Sequence, residues 1–248
     1  MPGPSTQRLV LWDVDGTLVH AGPAGRDAFA SSIEHVLGRS PGDHGVHMSG
    51  KTDPQIALEI LTTLALSKDE ARDHLPRVLR RLERELEEAL DVMRETGSAL
   101  SGAREVLERL RSTPGVVQTV LSGNLAANAR LKLGAFGLDG FMDWDVGAFG
   151  SDHEDRTKLV PIAVDRVDEV RGIRFDPEDT WVVGDTPADV ACARAGGTNC
   201  LLVATGRYDV DSLRDAGADV LLEDLSETDH VVGILMGDHK GRHRRRVP

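Results

Sequence analysis

Short apolar runs alternate with helical patterns along most of this chain, and this alternation restricts its fold more than any other feature. The runs predict six strands, at residues 9–12, 116–121, 144–146, 180–184, 199–203 and 219–222. Helical patterns lie between them, at residues 102–111, 126–133, 159–170, 188–195 and 210–216. Strands that alternate with helices pair in parallel, so the sequence predicts an α/β fold with a doubly wound parallel sheet.

The alternation is interrupted between Thr17 and Gly102, where the pattern predicts no strand. Because a connection from a strand to a helix normally takes a few residues, we interpret this interval as an insertion. It carries helical patterns at residues 25–37, 54–64 and 68–93, the last of them amphipathic. We expect a core domain of residues 1–19 and 100–236 and an inserted α-helical cap domain of residues 20–99. The cap should lie over the carboxyl ends of the strands, where open α/β sheets bind ligands.

Composition excludes several classes of function. The 248 residues carry a formal net charge of −12, which argues against a nucleic-acid or anionic-membrane surface. Residues 237–248 are a basic exception, and we expect a solvated, disordered tail there. No apolar run approaches membrane-spanning length, the first residues lack an apolar signal region, and the two cysteines form no CxxC pair. We therefore expect a cytoplasmic monomer or homodimer with no nucleic-acid or membrane partner.

Two acids stand where the first strand ends. Asp13 and Asp15 follow the apolar run, Gly16 permits a tight turn, and Thr17 can bond to the backbone or to a ligand oxygen. A calcium-binding loop also begins D-x-D, but here Leu18 would occupy its glycine position. A plain turn after a strand is the remaining structural interpretation, and two further strands argue against it.

Polar residues also follow those two strands. The strand at residues 180–184 is followed by Asp185 and Asp189, and the strand at residues 116–121 by Ser122, Gly123 and Asn124. Parallel strands end at one edge of a sheet, so these groups should meet there. Carboxylates that meet repel one another unless a cation lies among them, and hard oxygen ligands suit Mg²⁺.

The segments LWDVDGTL, LSGN and VVGDTPADV, in this order, resemble three of the four signature motifs of the haloacid dehalogenase superfamily. The helical insertion after the first motif resembles the phosphoglycolate-phosphatase-like branch, and the similarity extends from Leu9 to about Leu225. The resemblance implies a Rossmann-like core with a helical cap. It also implies a Mg²⁺-dependent phosphatase that hydrolyses a small phosphorylated metabolite through an aspartyl-phosphate intermediate.

The resemblance assigns roles to the residues at the strand ends. Asp13 would be the nucleophile, and Asp15 would protonate the leaving alcohol and then activate water. The metal set would be Asp13, Asp185 and the backbone carbonyl of Asp15, with Asp189 as an outer or further ligand. Phosphoryl oxygens would be bound by Ser122 and by groups near Gly123, Asn124 and Thr17.

The fourth motif of the family places a cation ahead of the final acidic pair, and this chain offers two. Arg156 and Lys158 lie two residues apart, without the Lys-Pro pair that the family often has. Either cation is a candidate to bridge the nucleophile and the phosphate, and the other would be a solvated residue at a helix start.

Lys51 is the candidate for substrate recognition by the cap. It lies just before a predicted helix, with Asp53 suited to the N-cap and Pro54 to the first helical position. There it could contact a second polar or anionic group of the substrate. The alternative is a solvated lysine beside an ordinary cap. The turn at residues 205–207 could likewise approach the site or be a capped turn.

Three other functions share parts of this pattern. A phosphomutase has every motif and differs in how long it protects the aspartyl-phosphate from water. A haloacid dehalogenase needs neither Mg²⁺ nor the second acid, whereas this chain has Asp15, Asp185 and Asp189. A catalytically dead binding protein on the same scaffold would have no reason to keep both Asp13 and Asp15.

Overall fold

A six-stranded parallel sheet forms the centre of the computed structural model, which describes residues 7–237. The sheet order is β5-β4-β1-β6-β7-β8, and β2 and β3 form a separate antiparallel pair. The strands are β1 (Arg8–Trp12), β2 (Val19–His20), β3 (Ser98–Ala99), β4 (Val116–Ser122), β5 (Ala148–Phe149), β6 (Thr180–Gly184), β7 (Asn199–Val203) and β8 (Val220–Leu222). Helices cover both faces of the six-stranded sheet, which confirms the predicted fold class.

Ten α-helices accompany the strands within the described residues. Four lie in the insertion: α1 (Ala24–Leu37), α2 (Asp53–Thr63), α3 (Lys68–Glu88) and α4 (Leu90–Thr96). The others are α5 (Ala103–Arg111), α6 (Ala126–Ala135), α7 (Leu159–Arg171), α8 (Pro187–Gly196), α9 (Val210–Leu213) and α10 (Thr228–Met236). The amphipathic pattern at residues 68–93 predicts one helix, but the structure divides it at Ala89 into α3 and α4.

Strand β1 lies in the interior of the sheet, and every one of its residues is buried. Val10 and Trp12 pack into the hydrophobic cluster on one face, and Leu9 and Leu11 into the cluster on the other. A strand buried on both faces needs this continuous apolar sequence. Its neighbours β4 and β6 pair with it in parallel along its length.

The inserted helices pack around a hydrophobic cluster of their own. Ile33, Ile60, Leu82 and Met93 are fully buried in it. The chain enters and leaves the insertion through the β2–β3 ribbon, in which Val19 pairs with Ala99 and His20 with Ser98. The division into a core and a cap domain stays a prediction, and below we use "cap" for residues 20–99.

The predicted strand at residues 144–146 is wrong. The edge strand is β5, which pairs with the end of β4, and the chain before it forms turns. The Trp144 ring stacks on Phe149 at a centroid distance of 6.1 Å, and its indole N–H donates to the carbonyl of Asp139. Val146 is buried as well. These apolar residues thus pack into the core from an irregular segment. Because they are buried, their sequence pattern resembles that of a buried strand.

Two further predictions concern the chain as a whole. Within residues 7–237, none of the helices is sufficiently long and apolar to span a membrane. The basic tail predicted at residues 237–248 lies, apart from Gly237, outside the described residues.

Candidate active site

Three adjacent strands deliver polar groups to one edge of the sheet. Asp13 directly follows β1, Ser122 ends β4, and Asp185 directly follows β6. The Asp13 N–H donates to the carbonyl of Val183 at 2.9 Å, so the backbone pairing of the sheet extends to this residue. The position of the Asp13 side chain is therefore determined by the most buried part of the fold.

The turn after β1 depends on Gly16. Its φ of +82° lies in the left-handed region, and a Cβ there would approach Asp185 Oδ2 to 2.4 Å. The turn at residues 205–207 also reaches the site, since Thr205 Oγ1 donates to the Gly16 carbonyl at 2.6 Å. Backbone at Gly16 and Gly206 thus lies directly against the Asp185 carboxylate.

Three carboxylates cluster at this edge. Asp13, Asp185 and Asp189 are buried, and one oxygen of each lies within 4.8 Å of the others. Burial raises the pKa of Asp185 to about 9, with a further contribution from the negative charge of Asp13. Burial also raises the pKa of Asp13 to about 6, although the positive charge of Arg156 opposes it.

This donor set fits a hard divalent cation. All three groups offer carboxylate oxygens, and the raised pKa values of Asp13 and Asp185 indicate that the protein alone does not fully offset the cost of ionising these two carboxylates. Thr17 belongs to the same region, because its buried hydroxyl lies 3.5 Å from Asp185 Oδ1. It therefore contacts a candidate metal ligand, and its role in phosphate binding stays a prediction.

Arg156, rather than Lys158, reaches the nucleophile candidate. Its Nη2 lies 3.1 Å from Asp13 Oδ1 and 2.5 Å from Asp189 Oδ1. The backbone N–H and the hydroxyl of Thr186 both donate to the other Asp189 oxygen, so Asp189 also completes a capping box at the start of α8. Lys158 is exposed just before α7, so of the two predicted cations the geometry favours Arg156, and the catalytic role of either stays a prediction. The short helical turn at residues 156–158 directs the first of the two cations inward.

A hydrogen-bonded chain connects Asp13 to Asp15. The Ser122 hydroxyl donates to Asp13 Oδ1 at 3.0 Å. The Asn124 amide donates to the Ser122 oxygen at 2.9 Å and to Asp15 Oδ2 at 2.7 Å. The phosphate-binding roles of Ser122, Gly123 and Asn124 stay predictions, and here two of these side chains orient the acids.

Sequence reasoning missed Lys132. This lysine on α6 is 7% exposed, and its Nζ donates to Asp15 Oδ2 at 2.6 Å and to Asn124 Oδ1 at 2.7 Å. Burial alone would lower the pKa of Lys132, but the charges of Asp15 and Asp53 outweigh it and raise that pKa. The one available signal was a lysine on the helix that follows the Ser-Gly-Asn segment.

Asp53 does not cap α2 as predicted, because Thr52 occupies the N-cap and its oxygen accepts from the Gln55 N–H. The Asp53 carboxylate instead crosses to the core, where Oδ2 accepts from the Leu125 N–H at 2.8 Å and from Asn128 Nδ2 at 3.0 Å. Its own N–H donates to the Gly123 carbonyl at 2.7 Å. The start of α2 is thereby bound to the loop that follows β4.

A cavity of about 390 Å³ lies between the cap and the strand ends. Asp13, Asp15, Lys132 and Arg156 line its floor, together with Asp185. Cap residues line the opposite side: His20, Arg26, Phe29, Met48, Lys51 and Ile56. Lys51 thus borders the cavity as predicted, but its ammonium forms an ion pair with Glu59.

Comparisons with known proteins agree with this geometry. The family model described as haloacid dehalogenase-like hydrolase matches residues 10–194. A protein of Caldanaerobacter subterraneus subsp. tengcongensis, named "Putative pyrophosphatase PpaX", is 24% identical over 95% of this chain and 98% of its own length. A predicted phosphoglycolate phosphatase from Haemophilus somnus superposes with a TM-score of 0.66 at 19% identity, covering 93% of this chain and 100% of that one. CbbY from Rhodobacter sphaeroides, solved in complex with phosphate, gives a TM-score of 0.67 at 19% identity, covering 89% and 96%.

The raised pKa values predict how stability depends on pH. Because the pKa of Asp13 and of Asp185 is higher in the folded than in the unfolded protein, the folded state binds more protons. In chelator, stability should be greatest below the unfolded value of 3.8 and fall as pH rises through about 6 and about 9. Mg²⁺ should reduce this fall. The measurement is the Tm between pH 5 and 9, and Asp185→Asn should flatten the profile. Identical Tm profiles with and without Mg²⁺ would contradict the metal assignment.

The different surroundings of the two cations predict different mutational costs. Arg156→Ala leaves two buried carboxylates without their cation and should lower the free energy of unfolding by roughly 3–5 kcal/mol. Lys158→Ala, the matched control on the surface, should change it by no more than about 0.5 kcal/mol. Urea unfolding in metal-free buffer measures both. Similar small changes would mean that Arg156 does not hold the carboxylates together.

Proposed function

This chain belongs to the haloacid dehalogenase-like hydrolases, and on that premise we propose that it is a Mg²⁺-dependent phosphatase acting on a small phosphorylated metabolite. The observation that carries the proposal is the arrangement at the cavity floor. Asp13 lies between a buried guanidinium and a second carboxylate, and Asp15 lies within reach of the same cavity. Covalent phosphoryl transfer needs a fixed carboxylate nucleophile, a separate proton donor, and positive charge around the phosphoryl oxygens.

Asp13 is the nucleophile in this proposal. Its Oδ1 accepts from Ser122 and Arg156, which holds the carboxylate plane in one orientation. The carboxylate also borders the cavity, where a substrate can reach it. A carboxylate oxygen attacks phosphorus, the bond from phosphorus to the ester oxygen breaks, and an aspartyl-phosphate forms. The leaving oxygen takes a proton from Asp15.

Asp15 then serves as the base. It takes a proton from water, the water oxygen attacks phosphorus, and the bond to Asp13 breaks. Inorganic phosphate leaves, Asp13 is again a carboxylate and Asp15 is again protonated, so the sum is hydrolysis of a phosphate monoester. Closure of the cap over the cavity would restrict bulk water during these steps.

Positive charge around the phosphoryl group comes first from Arg156. Its guanidinium contacts Asp13, and the residue lines the cavity. Asp13, Asp185 and the carbonyl of Asp15 would hold Mg²⁺, and Asp189, whose oxygens already contact Arg156 and Thr186, would be an outer or further ligand. When bound, Mg²⁺ supplies charge neutralisation for the nucleophile and the equatorial oxygens.

The cap would select the substrate. Its side of the cavity combines apolar residues with the cations Arg26 and Lys51, which suits a small anionic molecule better than a large one. We also place the protein in the cytoplasm. Cys192 and Cys200 are both free and buried, as expected in a reducing compartment.

The proposal predicts Mg²⁺-dependent release of inorganic phosphate from members of a metabolite panel. Chelator should stop the release, and added Mg²⁺ should restore it. Asp13→Asn should lower the rate by about 10⁴-fold or more with the fold intact, because an amide is a poor nucleophile. Circular dichroism and Tm serve as the folding control.

Each rival function gives a distinct result in that assay. A phosphomutase would yield an isomeric phosphate in place of inorganic phosphate. A dehalogenase would release halide from a haloacid in the presence of chelator. A binding protein without activity would retain metabolites but release nothing.

The role of Lys51 has its own test. If it recognises a second group of the substrate, Lys51→Ala should raise KM for the metabolite about tenfold, roughly the 1–1.5 kcal/mol of one hydrogen bond, and leave that for p-nitrophenyl phosphate unchanged. The exposed Lys68 supplies the matched control, Lys68→Ala. Equal effects on both substrates would show that the Lys51–Glu59 pair has only a structural role.

A further inference from the structure

Lys132 is a buried cation that the scheme above leaves without a role. Two acceptors satisfy its ammonium, Asp15 Oδ2 and Asn124 Oδ1, at 2.6 and 2.7 Å. Burying a charge is costly in free energy unless the charge is paired and hydrogen-bonded. An exposed lysine at this position of α6 would avoid that desolvation cost. The position of Lys132 therefore requires a reason that lies in the site.

Lys132 and Asn124 together fix one oxygen of Asp15. Both donate to Oδ2, and Oδ1 has no hydrogen-bond partner among residues 7–237. The Asp15 side chain is 44% exposed and borders the cavity, so it would otherwise be free to rotate. Two donors on the same oxygen leave the other oxygen directed away from them.

The cap holds the helix that carries Lys132. Asp53 accepts from the Leu125 N–H at the start of α6 and from the Asn128 side chain. Asn128 lies four residues before Lys132 and hence on the same face of the helix. The ammonium is thus positioned by a helix whose first turn is bound to the inserted helices.

We propose that Lys132 is a positioning residue that holds Oδ2 of Asp15 and so presents Oδ1 to the leaving oxygen of the substrate. This inference rests on the proposed phosphatase function. It assigns Lys132 no proton transfer: the proton passes from Asp15 to the leaving oxygen as the bond from phosphorus to that oxygen breaks. Lys132 acts through the orientation of the carboxylate.

A pair of probes with different leaving groups separates this role from a structural one. Phenolate is a poorer leaving group than p-nitrophenolate and depends more on a proton from Asp15. The measured quantity is kcat/KM, which covers the steps up to release of the leaving group and excludes the later attack by water. Phenyl phosphate and p-nitrophenyl phosphate have similar shapes, so their binding should change together.

Lys132→Met should lower kcat/KM for phenyl phosphate about 10²-fold, the lower end of the usual contribution of a general acid, and for p-nitrophenyl phosphate much less. Lys132→Arg should recover part of the loss for phenyl phosphate. Lys68→Met, at the exposed first residue of α3, should match wild type with both probes. Equal losses with the two probes, or no loss, would overturn the proposal.

A crystal structure of Lys132→Met provides a readout that does not need activity. Asp15 should adopt a different side-chain orientation while Asn124 and α6 stay in place. An unchanged Asp15 would overturn the inference even if the wild-type protein released no phosphate from either probe. Absence of Mg²⁺-dependent release by wild type would instead refute the proposed function.

Discussion

Repulsion among carboxylates at the edge of the sheet is the constraint on which this structure depends. Asp13, Asp185 and Asp189 lie within a few ångströms of one another in a buried region, and Arg156 forms ion pairs with two of them. A folded chain would not assemble such a group for stability, since apolar residues of similar volume would serve better. The proposed function gives a reason for such a cluster, because a bound cation would offset the repulsion among its carboxylates.

The sheet determines where that charge lies. Strand β1 is buried on both faces and pairs with β4 and β6, so the three chain segments that leave these strands must do so side by side. Close packing leaves little freedom in the positions of their ends. Glycines at positions 16 and 206 then let the backbone approach Asp185 where a side chain would collide.

Much of this architecture could be predicted from local patterns, and the failures have physical causes. Apolar runs locate β1, β4, β6 and β7, since buried parallel strands need them, and the acids that follow β1 and β6 locate the candidate site. Trp144 misled the prediction because packing against the core does not require a strand. The sequence did not predict the contacts of Lys132 with Asp15 or of Asp53 with the start of α6, because these partners lie more than 70 positions away along the chain. Only the fold brings those partners together.

The β2–β3 ribbon has a consequence for how such a protein can change over evolution. Because Val19 pairs with Ala99, the two ends of the insertion leave the core side by side. A helical unit attached in this way can be lengthened, shortened or exchanged at a small cost in loop-closure entropy, with the order of the sheet unchanged. In this chain, one contact limits such an exchange of the helical unit. A replacement unit without a carboxylate at the position of Asp53 would leave the start of α6 without its partner, so the cavity floor and the unit above it are expected to change together.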